Sequence, residues 1–98
     1  MVLKTYTYTV SAKNFPSWKR ITGKANAIYK EHGCTSMLRG YIKKGNRYSI
    51  FECEQYANKK EALRISRDVD NDPRIKKLFD EFLKVVTDTV EKKEITLI

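Results

Sequence analysis

The sequence predicts an α+β fold with the element order β-α-β-β-α-α-β, and three features carry that prediction. Residues 4–10, Lys-Thr-Tyr-Thr-Tyr-Thr-Val, are β-branched or aromatic at nearly every position, which suits a strand and discourages a helix. Lys43-Lys44-Gly45-Asn46 separates two strand-like runs and marks a hairpin, because Gly and Asn tolerate the positive φ that tight turns require. Asp70-Asn71-Asp72-Pro73 breaks one helical pattern and starts another.

The elements follow in order. After the first strand, Asn14 ahead of Phe15-Pro16 has the chemistry of a helix start: a short polar cap with proline in the first turn. Phe15, Trp18, Ile21, Thr22, Ala25, Ile28, Tyr29 and His32 then recur at spacings of three and four, so one helix face is apolar until Gly33 stops it. Residues 34–42 and 47–55 are the hairpin strands. With an even-numbered loop, paired positions sum to an odd number, and the hairpin divides into two faces. One carries Leu38, Gly40, Ile42, Ser49, Phe51 and Cys53; the other carries Met37, Arg39, Tyr41, Tyr48, Ile50 and Glu52. Asn58 caps a helix over 59–69 with Ala62, Ile65 and Val69 inward, and Pro73 opens another with Ile75, Leu78, Phe79, Phe82, Leu83 and Val86 at helical spacing. Residues 94–98, Glu-Ile-Thr-Leu-Ile, form the closing strand.

A chain of 98 residues, 41% apolar and 33% charged, has room for one core, so residues 1–98 are expected to be a single domain without long disorder. No apolar run approaches the roughly 18 residues of a membrane helix, and the alternating Tyr and Thr near the start are unlike a signal peptide, so a cytoplasmic location is expected. Cys34 and Cys53 have no metal-ligand spacing and His32 alone to join them, which points to reduced thiols and no metal. A net charge of +8 raises the prospect of an anionic partner. The basic pairs are spread over every segment, however, Lys19-Arg20 and Lys76-Lys77 among them, and fall on polar helix faces or in turns.

This order builds a ferredoxin-like, four-stranded antiparallel sheet with the helices on one face and the first and third strands in the middle. The helices need an apolar floor, which assigns the Leu38, Ile42, Phe51 and Cys53 face to them, along with Tyr6 and Tyr8 of the first strand. The Met37, Arg39, Tyr41, Tyr48, Ile50 and Glu52 face is then left open. A face so rich in apolar groups calls for cover, and a second copy of the sheet is the simplest one.

In element order, broken second helix and terminal strand, the whole chain resembles the dimeric α/β-barrel superfamily. That superfamily includes antibiotic-biosynthesis-type monooxygenases, muconolactone isomerases and many small proteins of unknown activity. The resemblance implies a homodimer paired through the open sheet faces and a small, often aromatic ligand bound between sheet and helices. Haem-degrading members have Asn on the first strand and Trp and His in the second helical region. Here the first strand lacks Asn, Trp18 and His32 lie in the first helix, and no cofactor is implied.

The candidate ligand-binding residues are Arg39, Tyr41, Tyr48, Glu52, Trp18 and His32. Arg39 and Glu52 pair charges on an aromatic face, either as a cross-strand ion pair fixing dimer register or as an arginine that orients an anionic or carbonyl ligand, with Tyr41 and Tyr48 as donors and walls. Trp18 and His32 sit on the first helix's apolar stripe, where packing and capping are their ordinary roles. The function expected is binding of a small aromatic or carbonyl compound, extending to cofactor-free monooxygenation or isomerisation. A purely structural dimer has no sequence feature of its own. The alternative is a basic nucleic-acid-binding module stacking bases on the aromatic sheet face, where Arg47-Tyr48-Ser49-Ile50-Phe51 loosely matches an RNA-recognition motif without its glycine.

Overall fold

The computed structural model describes residues 1–86 and 88–98 and has the predicted element order. Strand β1 (Val2–Ser11) leads through a 3₁₀ turn (Ala12–Asn14) into helix α1 (Phe15–Glu31). Strands β2 (Ser36–Lys44) and β3 (Arg47–Tyr56) form the hairpin, helices α2 (Lys59–Asp70) and α3 (Pro73–Val85) follow, and β4 (Glu91–Thr96) closes the chain. The four strands form one antiparallel sheet in the order β2-β3-β1-β4, so β1 and β3 are central. This is the ferredoxin-like arrangement, with the helices on one face. Among the described residues no helix is long and apolar enough to cross a membrane.

Local chemistry sets the element ends. Asn58 Oδ1 accepts the Glu61 N–H at 2.9 Å and Asp72 Oδ1 the Arg74 N–H at 3.0 Å, satisfying donors that a first helical turn leaves unpaired. Asn14 departs from expectation. It occupies the N-cap position of α1, but its side chain makes no cap and donates instead to the Val85 carbonyl at 3.4 Å, tying the start of α1 to the end of α3. At the other end, Gly33 takes φ +106, with its N–H on Lys30 O and the Cys34 N–H on Tyr29 O. That pair of bonds is a Schellman cap, which needs the left-handed residue glycine supplies. In the hairpin the turn residues are Gly45 and Asn46, and Gly45 alone adopts positive φ, at +61. Strand β4 starts earlier than predicted, because Glu91, Lys92 and Lys93 pair with Thr7, Tyr6 and Thr5; charged residues suit an exposed edge.

The hairpin register follows the odd-sum rule, with Arg39 opposite Glu52 and Tyr41 opposite Ile50, but the two faces are exchanged relative to expectation. Met37, Arg39, Tyr48, Ile50 and Glu52 lie beneath the helices, and Leu38, Ile42 and Phe51 are exposed on the open face. The cause is the neighbouring strand. Tyr8 stands opposite Ile50 and Tyr6 opposite Glu52, so placing the β1 tyrosines under α1 carries Ile50 and Glu52 with them. Cys53, on the open side, is nonetheless buried, and both cysteines are free thiols.

Along the helix-facing side of β3 the residues read Ile50, Glu52, Glu54, Tyr56, and along β1 they read Val2, Lys4, Tyr6, Tyr8, Val10. Apolar residues at the strand ends thus flank a polar middle, and the core divides accordingly. One cluster gathers Val2, Ile21, Ile28, Tyr56, Ile65, Val69 and Leu78; the other gathers Tyr8, Val10, Trp18, Ile50 and Val86. Phe82 and Val85 of α3 pack against both.

Helix α2 gives a direct test of this packing. Ile65 is 1% exposed and Leu63 62% exposed, so Ile65→Ala should lower unfolding stability by about 2–5 kcal/mol and Leu63→Ala by no more than about 0.5 kcal/mol in urea denaturation.

Candidate functional site

The polar middle of the sheet opens on a cleft of ≈ 190 Å³ between the sheet, α1 and α3. Ile21, Ala25, Met37, Leu78, Phe79 and Phe82 make its walls largely apolar. Tyr6, Tyr29, Glu52 and Glu54, with Thr22 and Asn26 of α1, supply its polar chemistry, a combination typical of small-ligand sites. A cavity of about 150 Å³ already admits benzene, so the space suits a compound with one ring.

Both glutamates are held by phenols. Tyr8 donates to Glu52 Oε2 at 2.8 Å, and the Tyr8 oxygen in turn accepts from Trp18 Nε1–H at 2.6 Å. Glu54 Oε1 accepts from Tyr6 at 3.1 Å and from Tyr56 at 2.8 Å. No Lys, Arg or His nitrogen lies within ion-pair distance of either carboxylate among the described residues. Burial therefore dominates and raises both carboxyl groups above the ordinary glutamate value, while the phenolic hydrogen bonds pull them back down. The same burial, with the nearby carboxylate charge, pushes Tyr6, Tyr8, Tyr29 and Tyr56 well above the ordinary phenol range, so all four remain neutral donors.

The six candidates from the sequence divide into three locations. Glu52 lines the cleft, joined to Trp18 through Tyr8, and the Arg39 guanidinium lies 5.7 Å from the Trp18 ring centre. Arg39 forms no cross-strand ion pair with Glu52; it donates to Thr22 Oγ1 at 2.8 Å and to the Lys19 carbonyl at 3.0 Å, bracing β2 against α1. Tyr41 and Tyr48 cluster around Phe15, with Tyr48 stacked on it at 4.0 Å, at the start of α1 and away from the cleft lining. His32 does not line the cleft either; its Nε2 lies 3.0 Å from Asp72 Oδ2, where it joins the end of α1 to the cap of α3. Glu54, Tyr6, Tyr29 and Tyr56 were not among the candidates. The available signal was the pair Glu52 and Glu54, two charges on one face of a central strand.

No protein-family model matches the chain, and no curated protein sequence does. Solved structures do match in shape. Atu4242 from Agrobacterium tumefaciens, described in a second structure as a NIPSNAP family protein of unknown function, has 16% identity and a TM-score of 0.75, covering 100% of this chain and 94% of that one. An uncharacterised NIPSNAP domain protein from Burkholderia xenovorans has 12% identity and a TM-score of 0.71, covering 100% and 95%. A crystal structure of an antibiotic biosynthesis monooxygenase has 6% identity and a TM-score of 0.75, covering 100% and 99%. The chain therefore shares the ferredoxin-like fold of these proteins. At these identities the likeness is one of fold.

The raised carboxyls set a pH dependence. Between the ordinary glutamate value and their higher folded-state values, the folded chain holds protons that the unfolded chain has released, so these two groups lower stability as pH rises through that window. Glu54→Gln keeps an oxygen for Tyr6 and Tyr56 and removes the buried charge. Its melting temperature should exceed the wild type's at pH 8, by about 4–8 °C if the relief is about 1 kcal/mol, and the difference should narrow toward pH 5 in thermal scans.

Proposed function

We propose that the chain forms a homodimer through its open sheet face and binds a small aromatic or carbonyl compound in the cleft beneath α1 and α3. The observation that carries the binding half is the cleft itself: an apolar, ring-sized space with two phenol-held carboxylates at its floor. Cofactor-free oxygenation or isomerisation of such a compound would draw its base from Glu52 or Glu54, since a carboxyl raised by burial exchanges protons closer to neutral pH.

The dimer half is supported by the open face. Leu38, Ile42, Phe51 and Ile95 are all exposed there, and a Cβ added at Gly40, directly opposite Phe51, would meet nothing within 4 Å. Four strands about 4.8 Å apart and about nine residues long present on the order of 600 Å² in plan, close to the roughly 800 Å² per partner of a standard interface. Less supports the nucleic-acid reading. Tyr41 and Tyr48, the bases' expected platform, pack on Phe15 on the helix side of the sheet.

Two measurements test the proposal. Light scattering at micromolar concentration should give twice the chain mass, and Phe51→Glu should give a folded monomer; a monomeric wild type overturns the dimer. In nuclear magnetic resonance titrations, one-ring phenols and ketones should shift the amides of Met37, Glu52 and Glu54 saturably, and Ala25→Leu, which fills the cleft, should abolish the effect. Unchanged binding to Ala25→Leu would place the site elsewhere.

A further inference from the structure

We infer that the cleft selects a one-ring compound carrying a protonated amine, its ammonium seated between Glu52 and Glu54. This rests on the reading of the cleft as a ligand site and narrows the occupant by its charge.

Glu54 is 6% exposed, with Oε1 taken by Tyr6 and Tyr56. Among the described residues, Oε2 of Glu54 and Oε1 of Glu52 accept no hydrogen bond from any protein donor. Neither is sealed away, because no fully buried side-chain oxygen among those residues lacks a partner. Both residues line the cleft. Three phenolic O–H groups donate onto these carboxyls, and such donors suit the ionised form, which accepts at every lone pair; a neutral acid must also donate.

What the ionised pair lacks, among the described residues, is a cation in direct contact. Lys4 and Lys92 act on Glu54 and Arg39 on Glu52 only from beyond ion-pair distance. Lys4 of β1 donates to Ser66 at 2.9 Å and lies 5.5 Å from the Tyr56 ring centre, Arg39 of β2 is bound to Thr22 and Lys19, and Lys92 of β4 lies 5.8 Å from the Tyr6 ring centre. From the helices, α1 brings Tyr29 as its one titratable group on the cleft, and α3 brings Ile75, Leu78, Phe79 and Phe82, which do not titrate. A chain with a net charge of +8 thus leaves two carboxylates unpaired at the floor of an apolar cleft. An ammonium supplies both missing items, positive charge and three N–H donors. Residues two apart on a strand stand roughly 6.6 Å apart, and a nitrogen making two charge-assisted bonds of about 2.8 Å reaches across about 5.6 Å, so the two flexible glutamate side chains need to lean together by only about 1 Å to share one ammonium. Tyr6, Tyr29, Phe79 and Phe82 supply aromatic walls for the ring, and aromatic faces attract the cation as well.

Calorimetric titration of the intact protein with benzylamine, benzyl alcohol and acetophenone tests this. Benzylamine should bind at least about tenfold tighter than the two neutral compounds, and Glu54→Gln should erase that preference without weakening the neutral ones. Lowering the pH from about 7.5 to about 5 should weaken benzylamine alone, because the carboxyls take up protons while the amine stays charged. Should Glu54→Gln fail to fold, Glu52→Gln is read in the same way. Equal affinity for benzylamine and benzyl alcohol, or a benzylamine preference that survives both variants, overturns amine selection and leaves the cleft standing as a binding site. Saturable binding of none of the three overturns both readings.

Discussion

Two carboxylates on a central strand, Glu54 buried and Glu52 half-buried, constrain the rest of this fold. Strand β3 has neighbours on both sides and helices above it, so Glu52 and Glu54 lack the free reach to water of a surface glutamate. Burying a charge without partners costs several kcal/mol, and hydrogen bonds are what make it tolerable. Here the partners are phenols from two strands, and each bond fixes more than a carboxylate. Tyr8, held by Glu52, becomes the acceptor for the Trp18 indole, so α1 docks on the sheet through a directed bond as well as through apolar contact. Arg39 then lies over the same indole and donates to Thr22, which ties the edge strand β2 to the helix at the same level.

The cleft follows from the same constraint. Apolar side chains close down on Tyr56 and Val2 at one end of the strands and on Tyr8, Val10 and Ile50 at the other, but a carboxylate with unfilled lone pairs offers them nothing to pack against. Ile21, Leu78 and Phe82 therefore form walls around the glutamates and leave space above them. The divided core and the cavity are one feature of the β3 sequence, Ile50-Phe51-Glu52-Cys53-Glu54, seen at two scales.

Much of the architecture was legible because it is written in local rules. Asn58, Asp72-Pro73, Gly33 and Gly45 each mark an element boundary by a backbone requirement that few residues meet, and the parity of the hairpin fixed which residues share a face. Which face turns to the helices was not legible from the hairpin, since Leu38, Ile42 and Phe51 on one side match Met37, Ile50 and the tyrosines on the other in apolar character. That choice is made by register against β1, a contact between distant segments. The site was legible only in part for the same reason. Glu52 stood out as a charge among aromatics, whereas Glu54 acquires its meaning from Tyr6, 48 positions away, and from Tyr56 beside it. His32 drew attention as the lone histidine, and its partner turned out to be Asp72, 40 positions on, in a brace between helices.

Strand alternation also links the two surfaces proposed to bind. Phe51 and Cys53 point to the open side of β3 and Glu52 and Glu54 to the cleft, so a single backbone segment carries both. A second copy seated on Phe51 would hold that segment from below while Tyr6, Tyr8 and Tyr56 hold its carboxylates from above, and neither contact can shift without turning residues that belong to the other. Loss of the dimer should therefore loosen the cleft even though no cleft residue touches the interface. Phe51→Glu, if it gives a folded monomer, should bind one-ring compounds more weakly than the wild type, whereas a monomer with unchanged affinity would show that the helices and phenols position the carboxylates on their own.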